Sequence, residues 1–332
     1  MLLDHRFLSE SLNGNELIYT CHGDDQLKQV ILILASILLS SCNHSDGSIH
    51  VLHDPFRNRP IKYEVWTPSG EGKYPLVLLS HGSGGDYSNH NWLIETLVEN
   101  GYVVAAPNHP SNTTRDNSDA GVISVWERPA DMSRLLDHLL NHSEWAALID
   151  KERIGAAGFS SGGYTAIALG GAVYNRDLFR VYCTGKDHGP DCDLATESAD
   201  VDYSRSSLPY RDVRIKAIFA MAPAVGPAIT QESLEAISVP VFIIAAQNDE
   251  LVYPDYSAHR YAQHIPQSRL EILPTGGHFV FLKCNIGTQV ADWFITQFDL
   301  CGSNQDMDGD AIREEVGIEA ITFFNNHIGS AP

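Results

Sequence analysis

The pentapeptide Gly158-Phe159-Ser160-Ser161-Gly162 fits the pattern G-x-S-x-G, and the short apolar run 153–157 precedes it. Glycine on either side of a serine permits a sharp turn from a strand into a helix, because glycine has no Cβ atom that would clash there. Such a turn presents the serine hydroxyl at the end of the strand. We therefore interpret Ser160 as a candidate nucleophile, which requires a base, an acid and an oxyanion site from elsewhere in the chain.

Strand patterns and helix patterns alternate on both sides of this turn. Apolar runs typical of strands lie at 63–67, 74–80, 102–106, 153–157, 215–221, 239–246 and 269–273. Helical patterns lie at 91–99, around 130–140, at 256–264 and at 311–327, and a further one follows the serine turn and runs through Leu169. This alternation predicts an α/β fold with a doubly wound, mostly parallel sheet. The polar segment 171–212 interrupts the alternation, and we interpret it as a cap insertion over the site.

His278 is the best candidate base among the 15 histidines. It lies in the turn Gly276-Gly277-His278-Phe279, just after the last predicted strand. The C-terminal edge of a parallel sheet is where such folds bind ligands, and histidine is well matched to proton transfer at neutral pH. His259 and His264 lie within a helical pattern instead, so His278 is preferred.

Asp249 is the candidate acid, because it follows the strong apolar strand pattern at 241–246. A carboxylate at this position would orient the imidazole and stabilise its protonated form. Glu250 is the alternative acid in the same loop.

The oxyanion of a tetrahedral intermediate needs backbone N–H donors placed in advance. Ser161 follows the nucleophile and lies at the start of a predicted helix, where the helix dipole favours an anion. The glycine-rich loop 81–85 follows the strand pattern at 74–80. We expect the backbone N–H groups of Ser161 and Ser83 to form the oxyanion hole.

Taken together, these motifs resemble the α/β-hydrolase superfamily, and more narrowly the bacterial dienelactone-hydrolase-like group related to platelet-activating-factor acetylhydrolase. The resemblance covers about 63–327 and rests on Ser80-His81-Gly82-Ser83-Gly84-Gly85, Arg128-Pro129-Ala130-Asp131, Gly158 to Gly163, Asp249, Gly277-His278-Phe279 and Cys284. It implies a serine hydrolase with the chain order Ser, Asp, His, acting on a small ester through an acyl-enzyme without a cofactor. Ser160 stands where true dienelactone hydrolases carry cysteine, so a carboxylic ester is expected rather than dienelactone. A peptidase or amidase with the same triad, and an inactive ligand-binding lipoprotein, remain alternatives.

The segment 29–39 is apolar, follows Lys28 and is too short to cross a bilayer as a helix, which is typical of a signal-peptide core. It leads into Leu39-Ser40-Ser41-Cys42, which resembles a bacterial lipobox. We therefore expect removal of residues 1–41, lipidation of Cys42, a tether at 42–50 and a hydrolase domain at 51–332. The protein would be exported and anchored to a bacterial membrane, facing the periplasm or the exterior. Residues 1–26 carry five acidic residues, which is unlike the start of a signal peptide, so we predict that translation begins at Leu27.

The composition excludes some partners and suggests a redox environment. A formal net charge of −20 argues against nucleic acid as a partner, because an acidic surface repels phosphate backbones. Four of the six cysteines lie beyond Cys42. In an exported domain we expect the disulfides Cys183–Cys192 and Cys284–Cys301, since short loops close most easily. Free buried cysteines are the alternative.

An acidic stretch at 304–310, followed by Glu315, has the spacing of a calcium-binding loop. Acidic residues just before a helix also serve as N-terminal caps. We favour capping and assign no metal site.

Overall fold

A computed structural model of the chain describes residues 9–13, 16–20, 49–194, 201–283 and 308–330. It divides into two units, Met1–Asp46 and Gly47–Pro332. In the first unit, strands β1 (Ser9–Asn13) and β2 (Glu16–Thr20) pair in antiparallel fashion. The predicted signal core, the lipobox with Cys42 and the Cys284–Cys301 pair lie outside the described residues.

The second unit is built on an eight-stranded sheet in the order β10-β9-β8-β7-β5-β6-β4-β3. Its strands are β3 (His50–Asp54), β4 (Arg59–Trp66), β5 (Tyr74–Ser80), β6 (Val103–Asn108), β7 (Ile149–Phe159), β8 (Ile215–Met221), β9 (Val241–Ala246) and β10 (Ser268–Leu273). The six strands β5 to β10 all run parallel to one another. At one edge of the sheet, β4 pairs antiparallel with β6, and β3 pairs antiparallel with β4. The predicted doubly wound, mostly parallel sheet is confirmed. The sequence patterns do not predict strand β3, because its sequence HVLHD buries only Leu52 and Asp54 and has a weak apolar pattern.

Each of the five predicted helices is present in the second unit, with bounds within a few residues of the prediction, and the described residues form five further helices that the sequence patterns did not indicate. In chain order, the helices are α1 (Asn91–Glu99), α2 (Asp119–Ile123), α3 (Glu127–Asn141), α4 (Ser143–Leu148), α5 (Ser161–Gly170), α6 (Arg176–Cys183), α7 (Asp191–Leu194), α8 (Gln231–Glu235), α9 (Ala258–His264) and α10 (Gly309–Ile328). Helix α3 begins before Pro129, because a proline is tolerated in the first turn, where backbone N–H groups need no helical partner. No helix in the described ranges is both long and apolar enough to cross a membrane.

Helices cover both faces of the sheet, so the central strands are buried on both sides. On β5, Leu76 and Leu78 pack into one apolar cluster, and Val77 and Leu79 pack into the other. All four side chains are inaccessible to solvent. This two-sided burial explains why β5 is an uninterrupted apolar run rather than an alternating one.

The insertion 171–212 contributes α6, α7 and a short 3-10 helix at Tyr203–Arg205. The predicted Cys183–Cys192 disulfide is present and links the end of α6 to α7. Phe179 and Asp191, which lie close to these two cysteines in the chain, line a pocket together with Ser160 and His278.

The start of α10 shows how the described part of the acidic stretch is used. Asp308 accepts a hydrogen bond from the backbone N–H of Ala311 at 3.0 Å and caps the helix, and Asp310 pairs with Arg313 at 2.7 Å. Residues 304–307 of the candidate calcium loop lie outside the described residues. Within the described residues, no group of three or more His, Cys, Asp or Glu side chains is arranged to hold a metal.

Candidate active site

Ser160 lies on a strained turn between β7 and α5, with φ 56° and ψ −121°. A positive φ is costly for a residue that has a Cβ atom, and such strain is characteristic of functional sites. The backbone N–H of Ser160 donates to the carbonyl of Met221 at 2.9 Å, and its own carbonyl accepts from Ala224 at 3.0 Å. A Cβ atom on Gly158 or Gly162 would collide with neighbouring backbone carbonyls. The glycines of the pentapeptide are therefore required by close backbone approach.

The structure brings Ser160, His278 and Asp249 into one hydrogen-bonded chain. His278 Nε2 lies 3.0 Å from Ser160 Oγ, and His278 Nδ1 lies 2.7 Å from Asp249 Oδ2. The other carboxylate oxygen, Asp249 Oδ1, accepts from the backbone N–H groups of Leu251 and Val252 at 3.0 and 2.7 Å. The carboxylate is thus held by its own loop, and it fixes the imidazole with Nε2 turned to the serine.

Glu250, the alternative acid, has a different contact. Its Oε2 accepts from the backbone N–H of His278 at 3.3 Å and makes no contact with the imidazole nitrogens. The rings of Phe159 and Phe279 flank the imidazole, with centroids 4.8 and 5.1 Å away. Asp249 therefore orients the ring, while Glu250 and the two phenylalanines constrain its position.

Ser83 and Ser161 both line the pocket next to Ser160. Among the described residues, no protein acceptor is within hydrogen-bonding reach of either backbone N–H. The neighbouring backbone N–H of Gly84, in contrast, donates a hydrogen bond to Asn112 Oδ1 at 2.6 Å. The arrangement leaves two N–H donors near the candidate nucleophile, at the positions expected for an oxyanion hole.

Arg128 binds the backbone of the loop that contains Ser83. Its guanidinium is buried, and it donates to the carbonyls of His81 and Gly82 at 2.6 and 3.1 Å. Burial lowers the pKa of Arg128 to about 9. Arg128 belongs to the motif on which the family resemblance rests, but the sequence alone does not assign it this contact.

A second Ser–His–Asp set lies beneath the same loop, where sequence reasoning predicted no function. His109 Nε2 lies 2.9 Å from Ser80 Oγ, and His109 Nδ1 lies 2.9 Å from Asp131 Oδ2. Burial lowers the pKa of His109 to about 4, aided by the charge of Arg128. Burial alone would raise the pKa of Asp131, but the hydrogen bond from His109 and the charge of Arg59 lower it to about 2. A neutral histidine therefore donates to an ionised aspartate.

This buried set is joined through His81 to the loop 81–85. The backbone N–H of His109 donates to His81 Nε2 at 3.1 Å, so His81 Nδ1 carries the proton and donates to the carbonyl of Gly82 at 2.7 Å. None of Ser80, His109 and Asp131 is exposed to solvent. Ser80 and Asp131 each lie in a motif that carries the family resemblance, but no single motif marks the three residues together, because they are far apart in the chain.

The pocket above Ser160 is walled largely by apolar side chains, including Val125, Phe179 and Val225. Asp191 is the only carboxylate among the described residues that line it. An apolar pocket with a few placed polar groups is typical of a small-molecule site.

Comparison with known proteins agrees with this architecture. Residues 41–180, less than half of the chain, match the family model described as Chlorophyllase. The ferulic acid esterase from Streptomyces cinnamoneus superposes with a TM-score of 0.56 at 19% identity, over 84% of this chain and 88% of that one. This chain has the α/β-hydrolase fold.

Two peptidases share the α/β-hydrolase fold over part of their length. The puromycin-hydrolyzing peptidase of Mycobacterium tuberculosis gives a TM-score of 0.53 at 14% identity, over 85% of this chain and 39% of that one. Dipeptidyl peptidase 4 of Porphyromonas gingivalis gives a TM-score of 0.52 at 12% identity, over 85% of this chain and 35% of that one. This chain thus spans less than half of the length of each peptidase. No curated protein sequence matches it.

Proposed function

We propose that this α/β-hydrolase cleaves small carboxylic esters through an acyl-enzyme. The observation that carries the proposal is the hydrogen-bonded chain from Ser160 through His278 to Asp249, at the mouth of a mostly apolar pocket. A nucleophile, a base and an orienting acid in this geometry are the requirements of serine acyl transfer.

In the first step, His278 Nε2 accepts the proton of the Ser160 hydroxyl as Oγ attacks the ester carbonyl carbon. Asp249 holds the Nδ1 proton and stabilises the imidazolium that forms. The carbonyl oxygen becomes negatively charged and is stabilised by the N–H groups of Ser83 and Ser161. Collapse of the intermediate breaks the bond to the alcohol oxygen, and His278 returns its proton to that oxygen.

In the second step, water replaces the alcohol. His278 accepts a proton from the water as its oxygen attacks the acyl-enzyme carbonyl, and the same two N–H groups stabilise the charge. Release of the acid returns the proton to Ser160. Side chains and backbone groups of this chain supply every part of the cycle, which needs no cofactor.

A peptidase or amidase is the second candidate, favoured by the two peptidases that share the fold. The same triad would serve it, because both reactions pass through an acyl-enzyme. The ratio of kcat/KM for an ester and an amide with the same acyl group distinguishes them. A ligand-binding protein without activity would hydrolyse neither.

The test is Ser160→Ala, with Ser207→Ala as the control because Ser207 is exposed and lies outside the pocket. We expect Ser160→Ala to fold normally and to lose roughly six orders of magnitude in kcat, since the nucleophile is gone. A fluorophosphonate should label the wild type and Ser207→Ala but not Ser160→Ala. Hydrolysis by Ser160→Ala at a rate near that of the wild type would rule out the acyl-enzyme.

We also propose that the protein is exported and anchored through a lipid on Cys42. The lipobox-like sequence supports this, and so does the Cys183–Cys192 disulfide, since disulfides persist in oxidising compartments. Expression with a labelled fatty acid should mark the wild type, which should sediment with membranes. Cys42→Ser should be unlabelled, and its labelling at the wild-type level would contradict the proposal.

A further inference from the structure

One wall of the pocket carries a buried carboxylate that the proposed chemistry does not use. Asp191, the first residue of α7, lines the same pocket as Ser160 and His278 and is only 9% exposed. It is separate from the Ser160–His278–Asp249 chain, and no step of acyl transfer requires it. Among the described residues that line the pocket, it is the only acidic side chain.

The carboxylate of Asp191 is held in place by the insertion. Tyr182 donates its hydroxyl proton to Asp191 Oδ1 at 3.2 Å, and the same hydroxyl oxygen accepts from the backbone N–H of Gly189 at 2.7 Å. A Cβ atom on Gly189 would meet both Asp191 Oδ1 and the Tyr182 hydroxyl, so these groups are packed closely. The disulfide from Cys183 to Cys192 closes the loop immediately beside Asp191. A carboxylate supported in this way has little freedom to turn away from the pocket.

Asp191 retains capacity to accept hydrogen bonds. An ionised carboxylate has about four acceptor sites, and among the described residues its donors are the Tyr182 hydroxyl and the backbone N–H groups of Asp191 and Cys192. Burial raises the pKa of Asp191 to about 6, with a further contribution from the charge of Asp249. The group is therefore mostly ionised at neutral pH, and a buried carboxylate is costly unless further donors compensate it.

We propose that Asp191 is a specificity-determining residue that binds a hydrogen-bond-donating group, a hydroxyl or an ammonium, on the acyl or the alcohol part of the substrate. This inference rests on the proposed function, because it assumes that the ester lies with its carbonyl at Ser160. A site built to bond a polar group discriminates strongly against an analogue that lacks it, since the buried acceptor is then left unpaired. Hydroxylated or amino-substituted esters are the substrate class, rather than plain alkyl esters.

The experiment compares matched esters that differ only by replacement of a methyl group with a hydroxyl or an ammonium group. In one series, the replaced group is moved along the acyl chain of p-nitrophenyl esters. In the other series, it is moved along the alcohol chain of alkyl butyrates. We expect the wild type to prefer the polar member at one position by about 10- to 100-fold in kcat/KM. Equal rates, or a preference for the apolar member, at every position of both series would overturn the inference.

Asp191→Asn and Asp191→Leu test whether the carboxylate is responsible. In Asp191→Asn the side chain still accepts a hydrogen bond from Tyr182 but carries no charge. This variant should therefore lose the preference for ammonium esters and keep part of the preference for hydroxylated esters. Leucine should lose both preferences while still hydrolysing the apolar ester. Asp193→Asn is the matched control, because Asp193 is exposed two residues further along the same helix. If both Asp191 variants showed the same kcat/KM ratio between polar and apolar esters as the wild type, the selectivity would come from another group.

The outcomes separate this inference from the proposed function. If hydrolysis of the apolar esters depended on Ser160 but the polar esters were not preferred, the role of Asp191 would be wrong and the proposed esterase function would stand. Cleavage of amide counterparts alone would remove the esterase, and the same matched pairs, made as amides, would then decide the role of Asp191.

Discussion

His109 Nε2 lies 2.9 Å from Ser80 Oγ, much as His278 Nε2 lies 3.0 Å from Ser160 Oγ. The described part of the chain thus contains two Ser–His pairs of similar geometry, and each histidine is hydrogen-bonded to an aspartate. They differ in access, because Ser80 is fully buried whereas Ser160 lies on the wall of the pocket. Geometry alone does not make a nucleophile, since a substrate must also reach it.

This difference predicts the reactivity of the two serines. A fluorophosphonate should modify Ser160 and leave Ser80 unmodified, because no path leads the reagent to a side chain with no exposed surface. Peptide mass spectrometry of the labelled protein locates the adduct. Ser80→Ala should be labelled like the wild type and be about 1 kcal/mol less stable, through the lost hydrogen bond. An adduct on Ser80 in the folded protein would contradict the role assigned to burial.

Arg128→Lys should impair turnover more than substrate binding. Lysine cannot donate in the bidentate manner by which Arg128 holds the carbonyls of His81 and Gly82, so the N–H of Ser83 would lose its fixed position. Loss of one oxyanion donor costs about 10²- to 10³-fold in kcat, and misplacement should cost up to that amount with little change in KM. Arg115→Lys is the control, because Arg115 is exposed. A variant that is less stable but has the wild-type kcat would show that Arg128 has only a structural role.

The folding stability of the wild type relative to Asp191→Asn should fall as pH rises from 4 to 7. The pKa of Asp191 is about 6 in the folded chain against 3.8 for the free side chain, so the folded state binds the proton more tightly. This contribution is present at pH 4 and is lost as pH rises through 6, by up to about 3 kcal/mol. Urea unfolding of both proteins at several pH values measures the difference. Asp193→Asn should follow the wild type, and parallel curves for Asp191→Asn and the wild type would refute the shift.

Removal of the Cys183–Cys192 disulfide should affect the pocket as well as stability. The two cysteines are nine residues apart, and opening so short a loop is expected to cost about 2–3 kcal/mol. The double variant Cys183→Ala/Cys192→Ala should also show a raised KM, because Phe179 and Asp191 would lose their fixed positions. Thermal unfolding and steady-state kinetics test both effects. An unchanged KM in a destabilised variant would mean that the pocket does not depend on the link.

Much of the fold could be predicted from local patterns. Helix α1 and strands β5 and β8 have the predicted bounds, because long apolar runs and a clear helical period dominate those segments. Strand β3 could not be predicted in this way, since half of its residues face solvent and its pairing with β4 is a tertiary contact. Likewise, the start of α3 before Pro129 depends on first-turn geometry rather than on apolar spacing.

The sequence by itself determined the alternating α/β architecture and the positions of Ser160, Asp249 and His278 at strand ends, because glycine turns and apolar periodicity act locally. Only the tertiary structure decided which carboxylate meets the imidazole, since Asp249 and Glu250 are adjacent in the chain and differ by where the backbone directs them. It also decided that one Ser–His–Asp set is buried and that Asp191 lines the pocket. Burial and contacts between distant segments are properties of packing, and no short stretch of sequence encodes them.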